Sequence, residues 1–408
     1  MTFNKIVKSL FLILMAAYCL EIFIVLLDIY NEKKRKNYNI EYLSRYNIQF
    51  EKRDKFEVYL DLRKEKKNVA LAVDPYHFLD DNIKLMPLSS FSNTTTILCN
   101  EYGLLSKYKS DRYGFSNPDF EWDNEIKFLI LGDAFVHGNC VNNDQTIASN
   151  LRNLNGGKGV LNFGFGGNGP LIEYAQLREY LNLIKVKNVI WFYTETDDLT
   201  GPGYRDPNRN EGLKAELANP ILKNYLTDMN FTQNLAKKQK IIDEMSELKN
   251  QEILKIINQS KEYKKKILIL NIIKFSNIKN FFDIKDDAVQ LKKDSNQKIS
   301  DEFKKIILLT SNLLKDKKIN FYFVYITDID RYTIKGFDET KNDYRKVKDF
   351  IENNKEIRFI DLHELLFKDK KDEALTLFAK QFKNDYQHYS ILGNKLVSEK
   401  IFEIIQNF

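Results

Sequence analysis

Two hydrophobic patterns organise the chain. The first is one long run, SLFLILMAAYCLEIFIVLL from Ser9 to Leu27, interrupted only by Glu21. About 20 apolar residues span the hydrocarbon core as a helix. Residues 9–28 are therefore expected to form a transmembrane anchor behind a short flank, 1–8. A carboxylate near mid-membrane costs on the order of 3 kcal/mol, which the summed Leu, Ile and Phe contributions outweigh. No small-x-small cleavage site follows, and Tyr18 is too bulky for a lipoprotein signal at 16–19, so the helix reads as uncleaved. Lys5 and Lys8 precede it, and Lys33, Lys34, Arg35 and Lys36 follow. Read literally, the positive-inside rule keeps the following domain in the cytoplasm, but large domains are exported in spite of it. The expectation is a single-pass protein of a bacterial inner membrane, with the side of the folded domain left open.

The second pattern begins at Lys127. KFLILGD (127–133) is a short apolar run ending in Gly-Asp, which predicts a buried strand feeding a loop. Helical spacing over Thr146–Leu154 precedes GVLNFG (159–164), and a helix over Leu171–Leu183 precedes NVIWFYT (188–194). The alternation resumes with a helix over Ser300–Lys315, INFYFVYI (319–326), a helix over Asp343–Glu352, IRFIDL (357–362) and a last helix over Ile391–Ile405. Strand–helix alternation at this spacing implies right-handed crossovers. The predicted fold is a three-layer α/β/α sandwich with a central parallel five-stranded sheet, over residues 126–408. A helical insertion at about 201–296 interrupts it. There Leu235, Ile241, Ile242, Met245 and Leu248 recur at helical spacing as one apolar stripe, and ILILNII (267–273) is too short to cross a bilayer. Residues 29–64 read as a charged stalk, and 65–125 as an irregular region packed on the main domain.

Charge and cysteine content narrow the function. Sixty-three Lys and Arg against 57 Asp and Glu leave a net charge of +6, spread over the whole chain with no basic–aromatic stripe. No nucleic-acid partner is expected. Cys19, Cys99 and Cys140 form neither a disulfide framework nor a CxxC zinc pattern. One Cys99–Cys140 bridge is compatible with the sequence, so the redox compartment stays open. The four histidines are too dispersed for a ligand cluster, and neither metal nor organic cofactor is expected.

In parallel α/β sheets ligands bind at the carboxyl ends of the strands, and four unusual segments are expected at that edge. They are Gly132-Asp133-Ala134-Phe135-Val136-His137-Gly138, Asn162-Phe163-Gly164-Phe165-Gly166-Gly167-Asn168-Gly169-Pro170, Glu195-Thr196-Asp197-Asp198-Leu199, and Asp385-Tyr386-Gln387-His388-Tyr389-Ser390. In order, spacing and strand context they resemble the four blocks of the SGNH (GDSL-type) ester hydrolases. The resemblance covers about residues 126–200 and 319–408 and says nothing of the anchor, the stalk or the insertion. It implies that Asp385 holds the Nδ1 proton of His388, leaving Nε2 as general base. It also gives Gly167, with Asn168 adjacent, the oxyanion-donor role, each such donor contributing about 3 kcal/mol to the transition state. Asp133 belongs to the same set of pocket residues.

Two positions depart from the family. Ala134 stands where the nucleophilic serine belongs, and a methyl group cannot attack a carbonyl. Thr196 and Asp197 stand where the family has Gly and Asn, and an ionised Asp197 repels an oxyanion. Neither Ser149 nor Cys140 sits on the strand-to-helix turn, so neither replaces the nucleophile. His137 reads as a packing residue of its loop, and His77 and His363 as structural. Three functions follow from the resemblance. One is a membrane-anchored hydrolase of acyl or acetyl esters on a glycan or lipid, nearly inert in this atypical form. Another is a pseudoenzyme that binds an acylated glycan. The last is an O-acyltransferase of an envelope polysaccharide, if water is excluded. Neither the substrate nor the oligomeric state can be read from the sequence.

Overall fold

The computed structural model describes residues 3–66, 68–100, 102–195, 198, 212–273, 275–276, 278–279, 299–327, 329–333, 343–368, 375–379 and 388–407. The apolar run and the first part of the charged stalk form one helix, α1 (Phe3–Ser44). From Ile6 onward this helix is long and apolar enough to cross a membrane, with a mean hydropathy of 2.7 in its most apolar stretch. Its 42 residues extend about 63 Å, twice the hydrocarbon thickness. Glu21, the charged residue within this apolar stretch, is buried and has a partner in the protein. Its carboxylate accepts a hydrogen bond from the Ile278 backbone N–H at 2.8 Å, and the Tyr18 and Phe275 rings pack 4.5 Å apart beside it. Phe275 and Ile278 of the insertion thus contact α1.

Residues 65–125, expected to be irregular, contain a small sheet instead. After α2 (Lys55–Glu65), strand β1 (Val69–Leu71) runs parallel to β2 (Thr95–Cys99), and β3 (Ser106–Lys109) pairs antiparallel to β2. Strands of three to five residues carry too little alternation to stand out in the sequence. A disulfide between Cys99 and Cys140 ties the end of β2 to the main domain.

The main sheet is all parallel: β4 (Ile126–Leu131), β5 (Val160–Asn162), β6 (Val186–Thr194), β7 (Asn320–Ile326) and β8 (Ile357–Asp361), in the order β5-β4-β6-β7-β8. Helices connect these strands in chain order: α3 (Ala134–His137), α4 (Ile147–Leu154), α5 (Pro170–Tyr180), then α6 (Leu213–Glu216), α7 (Pro220–Thr227) and α8 (Gln239–Ile273) of the insertion. They continue as α9 (Asp301–Asp316), α10 (Asp330–Thr333), α11 (Tyr344–Glu352) and α12 (Ile391–Gln406).

Alternate strand residues enter different cores, because successive side chains point to opposite faces. Phe128, Ile130, Ile190 and Val324 pack with Ile147, Leu151, Val397 and Ile401 of α4 and α12. Leu129, Leu131, Val189 and Phe323 pack with Leu177, Phe303, Ile306 and Val347 of α5, α9 and α11. Helices therefore cover both faces. The continuously apolar strands of the sequence are buried on both sides, as parallel sheets require. The stripe predicted in the insertion is narrower than expected. Leu235 and Ile242 are fully buried, whereas Ile241 and Leu248 face outward.

Candidate active site

The order β5-β4-β6-β7-β8 is the doubly wound 2-1-3-4-5 arrangement, in which β4 and β6 flank the topological switch point. β4 ends in an elbow. Gly132 has no room for a side chain, since a Cβ there would lie 2.4 Å from a Val136 methyl. Asp133 caps α3, its carboxylate accepting from the Phe135 N–H at 2.9 Å. Burial raises this carboxyl well above its ordinary range. Ala134 is the first residue of the one-turn helix and is half-buried. Gly138 ends the turn in the left-handed region at φ 84°, its N–H bonding back to the Ala134 carbonyl.

The glycine-rich segment after β5 lies against this elbow. Asn162 fixes it, donating to the Val136 carbonyl at 2.8 Å and accepting from the Gly164 N–H at 2.7 Å. A Cβ on Gly164 would come within 2.8 Å of the His137 backbone nitrogen, so only glycine lets the two loops touch. Gly167 takes φ 71°, which glycine adopts without strain. Gly169 precedes α5, and here the insertion intervenes. Glu216 of α6 accepts from the Gly169 and Leu171 N–H groups at 2.6 and 2.8 Å. The start of α5 is thus capped by the protein's own carboxylate. Burial pushes that carboxyl up to about 7, even with these donors.

From the C-terminal segment, His388 packs edge-on against Phe135, with ring centroids 5.5 Å apart. Tyr389 lies 4.8 Å from the same ring. The strand-like bridge Phe378–Tyr389 and the Ser390 cap of α12 hold His388 there. The structure therefore brings the glycine loop, through Gly164 and Phe165, and His388, through Phe135, each against the elbow that carries Asp133 and Ala134. Asn168 is buried behind the loop with its amide donating to Gln176 at 3.4 Å. Asp197 and Asp385 lie outside the described residues. In the third block Asp198 accepts from the Thr194 N–H at 2.8 Å, and Glu195 forms a buried ion pair with Arg331.

Neighbouring groups account for the remaining histidines. His137 is buried between Tyr108 and Phe165, at 5.4 and 5.0 Å, and burial lowers its pKa to about 3, so it stays neutral. His77 Nδ1 lies 3.0 Å from the Asp74 backbone N–H, and His363 Nδ1 lies 2.8 Å from the Tyr332 hydroxyl.

Several residues at the site carry no readable signal in the sequence. Asp74 stands over the loop, with Oδ2 3.0 Å from the position a Gly166 Cβ would occupy. Glu173 is fully buried beneath the loop. Burial first, and then the Asp133 and Glu216 charges, hold its carboxyl well above the ordinary range. Asp111 is the hub of the aromatic segment before β4. It accepts from the Tyr113 and Phe115 N–H groups, the Asn117 amide and the Trp122 indole, while burial raises it to about 6. Asn117 in turn donates to the Asn162 carbonyl at 3.0 Å and accepts its N–H at 2.8 Å, which steadies the strand that leads into the glycine loop.

No protein-family model matches this chain, and no curated protein is significantly similar to it in sequence.

Proposed function

We propose that the chain is a membrane-anchored SGNH-type ester-hydrolase scaffold whose pocket takes acyl or acetyl esters of a glycan or lipid. Ala134 leaves that pocket almost without turnover. The observation that carries this reading is the packing of His388 against Phe135, the residue after Ala134, on an elbow that the glycine loop approaches so closely at Gly164 that a Cβ there would clash. A hydroxyl at position 134 would lie on the elbow with a general base alongside. Backbone N–H groups around Gly167 would meet the charge that develops on the carbonyl oxygen. In this scheme Asp385 orients His388. Loss of a triad nucleophile lowers turnover about 10⁶-fold, and binding with the oxyanion donors retains about 10³ over water.

The test is Ala134→Ser, assayed on p-nitrophenyl acetate. The variant is expected to gain at least about 10³-fold in kcat/KM, and Ala134→Ser/His388→Ala is expected to lose that gain. A flat result for the serine variant, with binding of acetylated oligosaccharides intact, would favour a binding module without ancestral chemistry. The Cys99–Cys140 disulfide supports an oxidising location for the folded domain, which sets the glycan esters of a cell envelope within reach.

A further inference from the structure

Beyond the elbow, the same edge of the sheet carries a recess. It is a cavity of about 510 Å³ beside the ends of β7 and β8, with Arg331, Arg345, Lys348 and Lys368 around it. Tyr344 and His363 form part of its wall. Most of these cations are positioned by neighbours. Arg331 is buried against Glu195 and lies 4.8 Å from the Tyr344 ring centre. Lys348 reaches Asp361 at 3.3 Å, and the Tyr344 hydroxyl holds the same carboxylate oxygen at 2.5 Å. Lys368 pairs with Glu364 at the rim. Arg345, in the first turn of α11, is exposed and pairs with no carboxylate among the described residues. The N-terminus of α11 adds the partial positive charge of a helix start.

An exposed guanidinium with no carboxylate partner among the described residues, beside a half-buried lysine at a helix start, suits an oxyanion. Arginine offers a planar fork of donors and lysine a point charge. The place suits a substrate that also reaches the elbow. β7 and β8 lie two and three strands from β4, about 10 and 14 Å at 4.8 Å per strand. The buried Arg331–Glu195 pair joins the recess to the third block.

We propose that this recess binds an anionic group (carboxylate, sulfate or phosphate) of the glycan whose ester would occupy the pocket at Ala134. The class of substrate is then an acidic, esterified oligosaccharide. This inference rests on the ester-hydrolase reading for the nature of the second group, but not for the anion site itself.

The test is calorimetry on the full chain in detergent at low salt, with a galacturonic acid trimer, its methyl-esterified form, inorganic phosphate and inorganic sulfate. Arg345→Gln/Lys348→Gln is compared with Lys158→Gln/Lys223→Gln, which removes two exposed charges elsewhere. At least one anion is expected to bind, the esterified trimer to bind weakly or not at all, and the first variant to lose about tenfold in affinity for each contact removed. The control variant is expected to keep its affinity. Equal losses in both variants, or no binding by any of the three anions, would overturn the proposal. The esterase readout of Ala134→Ser on neutral p-nitrophenyl acetate is independent of this recess. An inert serine variant that still binds the anion would therefore sink only the ester-hydrolase reading, and an active one without anion binding only this inference.

Discussion

Glu216 offers the most quantitative perturbation. It lies in the insertion, is fully buried, and accepts two N–H groups at the start of α5. Glu216→Ala removes both acceptors and strands two buried donors, each costing about 1–3 kcal/mol. The opposing effect is the cost of keeping a charge there. Burial raises the carboxyl from 4.5 to about 7. The folded protein therefore holds this proton over a pH range in which the unfolded chain has released it. Stability supported by the proton is complete below 4.5 and is lost as pH rises towards 7. Between pH 5 and pH 8 the native protein loses about 2.5 kcal/mol from this group. The alanine variant has no such loss. It should be destabilised at both pH values, by about 2.5 kcal/mol more at pH 5 than at pH 8. Urea denaturation followed by tryptophan fluorescence measures this, since Trp122 and Trp191 are both buried. A destabilisation that is equal at the two pH values, or larger at pH 8, would refute the reasoning.

Two further outcomes concern the native chain. Asp111 is raised by burial from 3.8 to about 6, and Asp133 and Glu173 are raised in the same direction. Each contributes stability that is present at low pH and lost as pH climbs through its folded pKa. Together with Glu216 they outweigh the opposite trend of buried His137, which gains as pH rises through 6.5. The calorimetric melting temperature should therefore fall from pH 5 to pH 8, and a rise would contradict it. The disulfide closes a loop with a sequence separation of 41, and Cys99→Ser/Cys140→Ser should cost about 4 kcal/mol on chain-entropy grounds. In membranes isolated under alkylating conditions, only Cys19 should react before reduction; labelling of all three cysteines would argue against an oxidising location.

What could be read from the sequence depended on how local the cause was. The N-terminal helix is one long apolar run broken only by Glu21, and strands such as KFLIL and VIWFY are apolar because both faces are buried, a property of five consecutive residues. The glycines after β5 were legible for the same reason, since their need arises from the backbone path. The supports were not. Asp111 gathers donors over eleven residues, Glu216 caps a helix 45 residues upstream, and Glu121 clamps Arg152 and the Gly159 N–H across 31 and 38 residues. No local pattern encodes such pairings, because each depends on the completed fold. The small sheet escaped for a related reason. Its strands are short, and they are held by the disulfide and by Ser106 and Tyr102 hydrogen-bonding to the loop after α3.

The central claim is that position 134 sits where a nucleophile would meet His388, and a covalent probe tests it most directly. Ala134→Ser should react with a fluorophosphonate, releasing fluoride and leaving the phosphonyl group on the hydroxyl oxygen introduced at position 134, as located by peptide mass spectrometry. The native chain and Ala134→Ser/His388→Ala should remain unlabelled at that position. A serine variant that stays unlabelled while folded, or labels equally without His388, would contradict the account.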